Sequence, residues 1–254
     1  MTRASLARFG LSVAFLVLLI LAWKYLSDNR IVSPIYLPGP DRTWNALMSE
    51  LRGGDLVWRI VKTLEHMAFG WLLASFIGVV IGVAISIFPF IRRLLGPTLE
   101  FFRPLPASAI FPVAIAVFGL SQSMVFAVIA FGAVWPTLLA TISGFDALHP
   151  RLAELRKLLG MSTMDYVRKV ALPSALPEIL AGMRLSLMVA LILSVTGEIL
   201  SSSEGLGHWI MLQARSYRSD TLFAGVLLFG AIGYLSAKTL TLFENHLVGW
   251  KRRS

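Results

Sequence analysis

Two stretches of this chain carry no charged side chain at all, Met67 to Ile91 and Pro104 to Phe145. A helix crosses the hydrocarbon of a bilayer with about 20 mostly apolar residues, and inside lipid its backbone groups must find their partners within the segment. The first stretch suffices for one such helix. The second suffices for two, with the polar break GLSQS (119–123) as the turn between them. Further apolar runs are FGLSVAFLVLLILAWKYL (9–26), PEILAGMRLSLMVALILSVTGEIL (177–200) and TLFAGVLLFGAIGYLSAKTLTLF (221–243). The expectation is an all-α integral membrane protein, a single transmembrane domain over 1–254. Its six transmembrane helices fall near 9–27, 64–88, 103–119, 123–143, 177–199 and 221–243.

Composition agrees: 56% of the residues are hydrophobic and 15% charged, against about 25% charged in a soluble domain. The net charge of +9 would suit nucleic acid if the basic residues gathered on one folded polar face. They stand instead in short clusters between the apolar runs, as basic residues do on the cytoplasmic side of membrane spans. The lipid bilayer is therefore the expected partner, and no nucleic acid. Cysteine is absent, which removes disulfides, thiolate zinc sites and thiol chemistry. Arg3 and Arg8 ahead of an apolar core could mark a signal peptide. No A-x-A-like cleavage site follows, however, and Trp23, Lys24 and Tyr25 read as an interfacial anchor, which favours an uncleaved span.

Lysine and arginine set the orientation. Arg3, Arg8, Arg92, Arg93, the cluster Arg151, Arg156, Lys157, Arg168, Lys169 and the tail Lys251, Arg252, Arg253 fall on one side. The other side has the uncharged 119–122 turn, the 201–220 loop and the 28–63 segment, whose five basic residues weaken the contrast. Both termini are then expected in the cytoplasm. In the second span Gly70, Ala74, Gly78, Gly82 and Ser86 recur every fourth residue. Such a small-residue stripe lets another helix backbone approach closely. Tight packing is the preferred reading, and a place in a substrate path is the other.

One segment interrupts the apolar pattern with charge: ELRKLLGMSTMDYVRKVALP, 154–173. Pro150 suits a first helical turn, and Leu152, Leu155, Leu158 and Leu159 recur at helical spacing. Gly160 follows as a helix end. Ser162 and Asp165 have the spacing of a capping box for a second short helix, which Pro173 is expected to close. The prediction is helix, glycine elbow, helix, with an apolar face resting on the bundle and the charged face in the cytoplasm. A surface helix that only stabilises the bundle, a lipid-binding basic patch and a docking knob for a cytoplasmic protein all remain open on these grounds.

The spacing E-x5-G-x9-V-x-L-P, from Glu154, Gly160, Val170, Leu172 and Pro173, resembles the EAA loop of permease subunits of ATP-binding-cassette importers. The alanines that follow the glutamate in that family are Leu155 and Arg156 here, and its isoleucine is Val170. LPGPDRTWNAL (37–47), LPSALPEILAGMRLSL (172–187), EGLGHWI (204–210) and FENHLVGW (243–250) are similar to segments of the nitrate, sulfonate and taurine branch. The resemblance implies that the loop 146–176, between the fourth and fifth spans, forms a cytoplasmic coupling helix. Glu154, Leu155, Arg156, Leu159, Gly160, Met161, Asp165, Val170, Leu172 and Pro173 would dock an ATPase there. It also implies a bacterial inner-membrane location, two copies of a cytoplasmic ATP-binding subunit, an extracytoplasmic solute-binding protein near the 201–220 loop, and a second permease copy. Its solute would be a sulfonate, taurine, nitrate or similar small molecule. Other branches (vitamin precursor, methionine, phosphonate) and a membrane scaffold holding a cytoplasmic partner are the alternatives.

Catalytic chemistry is not visible. There is no G-x-x-x-x-G-K-[ST], so ATP and Mg would bind a partner chain and this chain is expected to need no cofactor. His66, His149, His208 and His246 are scattered, with no metal-ligand spacing. Ionisable residues in spans are costly and often functional. Glu100 and Arg103, one turn apart, are expected to pair. Arg184 and Glu198 are 14 residues apart, too far to pair on one helix, and are read as reaching the two interfaces or else lining the path. Lys238 either snorkels or faces the bundle. Pro104, Pro106 and Pro112 make the third span irregular, which is tolerated beside protein or a watery cavity. The candidates for the translocation path are thus Pro106, Pro112, Arg184 and Glu198.

Overall fold

The computed structural model describes residues 3–247, all of whose regular structure is helical. Five of its helices are long and apolar enough to cross a membrane. The first, α1 (Arg3–Asp28), is exposed along most of its length and touches the rest through its end. There Trp23 Nε1 donates to the Pro38 carbonyl at 2.8 Å and its ring stacks on Phe223, with centroids 6.0 Å apart. The short α2 (Pro40–Gly53) lies against the last helix, α11 (Ser219–Leu247), where Arg218 pairs with Glu50 at 3.1 Å.

Three long helices form the core: α3 (Asp55–Ile87), α6 (Gln122–Asp146) and α9 (Leu172–Ser201). In lipid the hydrophobic effect does not drive helices together, so close van der Waals packing and interhelical hydrogen bonds must do it. The sequence provides both. Gly70, Gly78 and Gly82 of α3 lie so close to α6 that an added Cβ would come within 2.4 Å of Ile129, 3.0 Å of the Leu138 backbone and 2.7 Å of Thr141. Ala74 is fully buried between them, and Ser86 at the end of the stripe is half-buried. On α9, Gly182 meets Ala140 and the Pro136 carbonyl of α6 in the same way. Ser186 donates to the Ala133 carbonyl at 2.5 Å and Trp71 Nε1 to the Met183 carbonyl at 2.9 Å, stitching α9 to its neighbours.

The helix expected at 103–119 is not one straight span. Instead α4 (Pro89–Phe102) is followed by a 3₁₀ turn (Ala107–Ile110) and α5 (Phe111–Phe118), bent by 92° from α4. Pro104 and Pro106 have no N–H to continue the helical ladder, and Pro106 is extended with ψ 125°. Pro112 falls in the first turn of α5, where a missing N–H breaks nothing. Taken as one broken span, the bent pair makes a sixth crossing. Glu100 and Arg103, beside the bend, form no ion pair with each other.

Candidate functional site

Between α6 and α9 the chain leaves the core as α7 (Pro150–Leu158) and α8 (Thr163–Tyr166). Gly160 joins them with φ +59°, a left-handed conformation that glycine adopts without strain. The Met161 N–H bonds the Arg156 carbonyl at 3.0 Å, the six-to-one bond of a Schellman helix end. Ser162 Oγ then accepts from the Asp165 N–H at 3.1 Å to start α8. The carboxylate of Asp165 does not reach back to the backbone. It accepts from the Ser162 hydroxyl at 2.7 Å and from Lys169 at 2.8 Å. Arg156 ties the two arms together, donating to Thr163 Oγ1 at 2.6 Å with its guanidinium over the Tyr166 ring. A cleft of about 250 Å³ lies behind this elbow, lined by Ser86, Asp146, His149, Arg156 and Tyr166 among others.

Two features of the elbow differ from expectation. First, its tip is apolar and uncovered by the rest of the chain: Leu158 is 82% exposed, Leu159 69% and Met164 67%. The apolar residues flanking the left-handed glycine are turned away from the bundle. Glu154 and Gly160 are also exposed, and Met161 is half-buried. The side chain of Leu155 lies outside the described residues. Second, Pro173 does not close the second helix. The chain stays helical from Thr163 to Ser201, passing through a π turn at Val167–Ala171. There the Leu172 N–H reaches five residues back to the Val167 carbonyl, and the widened turn admits a proline that would break an α-helical ladder. Val170, Leu172 and Pro173, all half-buried, therefore belong to one rod that joins the elbow to the core.

At the far end of α9, about 39 Å along its axis from Leu172, Glu198 is completely buried. The expectation that it reaches an interface is wrong. One carboxylate oxygen accepts from Thr63 Oγ1 and from the Gly207 N–H, both at 2.9 Å, and the other lies 3.0 Å from His66 Nδ1. Thr63 Oγ1 in turn accepts from the Leu206 N–H at 2.9 Å. His66 Nε2 lies 3.2 Å from Gln122 Nε2, which only donates. The tautomer that accepts there places its Nδ1–H toward Glu198. Phe126 covers the ring edge-on at 5.7 Å. This knot joins α3, α6, α9 and the short helix α10 (Leu206–Arg215). Sequence reading set His66 aside as one of four scattered histidines. Its three-residue spacing from Thr63, beside an apolar run and opposite an in-span glutamate, was the signal available.

Residues 74–249 match the family described as binding-protein-dependent transport system inner membrane components. The chain belongs to this family. An aliphatic sulfonates transport permease, SsuC of Bacillus subtilis, is 30% identical over 92% of this chain and 84% of its own length. The taurine transport system permease TauC of Escherichia coli is 25% identical over 94% and 89%. In fold, a solved structure of the MetNI methionine ABC transporter in an inward-facing conformation covers 78% of this chain and 99% of its own. Its TM-score is 0.68 at 19% identity. The chain is thus an importer permease subunit of the sulfonate, taurine and nitrate branch, a multi-pass protein of the inner membrane. Its relatives are named as transport components rather than enzymes.

The four residues expected along the permease's translocation path do not share a surface. Pro106 and Pro112 are exposed on the bent segment. Arg184, near the middle of α9, makes an ion pair with Glu244 of α11. Glu198 is sealed in the knot. Lys238 is exposed, with its ammonium over the Tyr234 ring one turn away, and so points out of this bundle. Among the described residues no three His, Asp or Glu side chains gather as a metal-binding group.

Proposed function

We propose that the α7–α8 elbow is the seat of a separate ATPase subunit, and that the permease carries a small solute such as a sulfonate, taurine or nitrate from a binding protein across the inner membrane. The exposed apolar tip at Leu158, Leu159 and Met164 carries this reading, because it stands on a turn fixed by Gly160, Ser162 and Arg156. Apolar side chains held rigidly in water are matched by a partner's cleft. The helix continuous through the π turn then passes a push at the tip into α9 without a flexible joint. ATP and Mg bind the partner. Closure of two ATPases brings two elbows together, one from each of two permease copies, and the path opens outward. Hydrolysis resets it inward. Both termini lie in the cytoplasm with the elbow, and α10 faces the binding protein.

The test is ATP-driven uptake by vesicles holding the full transporter, with Gly160→Asp or Glu154→Lys in the permease. Each variant should insert normally, lose the ATPase during purification in mild detergent and lose at least nine-tenths of the uptake. Normal uptake by either variant overturns the assignment of the elbow. A native pull-down that recovers a cytoplasmic partner with no ATPase activity would instead favour a membrane scaffold.

A further inference from the structure

The start of α10 lacks a cap of its own. The residue before its first turn is Gly205, which has no side chain to accept from the free N–H groups that open any helix. Those of Leu206 and Gly207 are nevertheless satisfied, by Thr63 of α3 and Glu198 of α9. A carboxylate at this point also opposes the positive end of the helix dipole. The approach is very close. A Cβ on Gly205 would come within 2.2 Å of the Glu198 carboxyl carbon, and one on Gly207 within 2.4 Å of the Val195 carbonyl. The spacing G-L-G at 205–207 is therefore what lets the backbone reach the carboxylate. A second tie runs from Trp58 Nε1 to Glu204 at 3.2 Å.

We propose that Glu198 is a positioning residue for α10. It caps that helix from another span and, with His66 and Thr63, fixes it to α3, α6 and α9, so that whatever docks on α10 meets a platform rigidly joined to the moving core. Its role in transport rests on the reading of α10 as the face that meets the binding protein. The geometry suits this task better than a place in the solute path. All three donors to Glu198 are protein groups, and the carboxylate is fully enclosed. His66 is the adjustable member. A glutamine at 198 would keep an oxygen for Gly207 and Thr63, while the imidazole moves its proton to Nε2 and the Gln122 amide turns its oxygen toward it.

The experiment uses the assembled transporter in lipid vesicles, titrated with the binding protein that co-purifies with it, and reads two quantities. The first is hydrogen exchange at the Leu206 and Gly207 amides. The second is ATP hydrolysis against binding-protein concentration. Glu198→Ala should speed exchange at both amides at least tenfold and raise the half-saturating concentration at least fivefold, with the maximal rate within twofold of the parent. Glu198→Gln should restore most of both. If Glu198→Ala does not assemble, Thr63→Val should speed exchange at Leu206 and leave Gly207 protected. Unchanged exchange overturns the cap. Faster exchange with an unaltered titration, or a fall in maximal rate alone, overturns the positioning role. A parent transporter that hydrolyses ATP without regard to any binding protein sinks the reading of α10, while exchange still decides whether Glu198 holds the helix.

Discussion

At its Thr163 end the long helix leads into leucine and methionine side chains that nothing in the chain covers, and at its Ser201 end it buries a carboxylate, an imidazole and a hydroxyl completely. Either arrangement is unfavourable when left incomplete. Exposed apolar area is unfavourable until something covers it, and a buried polar group is unfavourable until each of its hydrogen bonds is made. The knot is complete within this chain, since each oxygen of Glu198 has donors and His66 has groups at both nitrogens. The elbow is not complete. One end of the rod is therefore a finished joint and the other an unfinished surface, and the two should answer to mutation in opposite ways.

The largest effect on stability belongs to the knot. His66→Leu removes a donor from a sealed carboxylate and should destabilise the permease by about 3 kcal/mol, read as an earlier unfolding transition in detergent. A double-mutant cycle with Glu198→Gln should show a coupling on the order of 1–3 kcal/mol, since the two groups touch. Next comes Gly205→Ala, whose methyl must displace the Glu198 carboxylate and should cost about 2 kcal/mol. At the elbow Gly160→Ala meets no atom within 4 Å and suffers only from its positive φ. A cost of about 1 kcal/mol should be confined to faster amide exchange at Met161. The smallest stability change, within about 0.5 kcal/mol, is expected for Leu158→Ser combined with Leu159→Ser. That variant should still release the ATPase on purification. If the serine pair lowers stability as much as His66→Leu, the elbow is packed against its own bundle and the contrast between the two ends fails.

The charge-free runs made α3 and α6 legible from sequence, because lipid permits few alternatives to a helix there, and the small-residue stripe marked the face of α3 that packs closely without naming α6 as its partner. The elbow was legible in part. Pro150, Gly160 and the Ser162–Asp165 spacing are local signals for local hydrogen bonds. Pro173 misled, because its usual effect assumes an α-helical ladder and the π turn before it supplies a different one. The break at Pro104 and Pro106 was foreseeable as irregularity, but its angle depends on what α5 packs against. The knot was not legible. Glu198 and His66 are 132 positions apart, and only the folded bundle brings them together. An ionisable residue inside an apolar run, followed by a G-L-G, is the pattern that would have raised the question.

The 39 residues from Thr163 to Ser201 make a rod about 58 Å long, whereas hydrocarbon and headgroups together measure about 45 Å. Upright in a bilayer, with its Ser201 end level with one surface, such a rod would stand about 13 Å clear of the other. A soluble protein can therefore grip the tip without pressing into the headgroup layer. In that placement the bilayer would act as a bearing around the shaft, with a push at the tip carried to the opposite end.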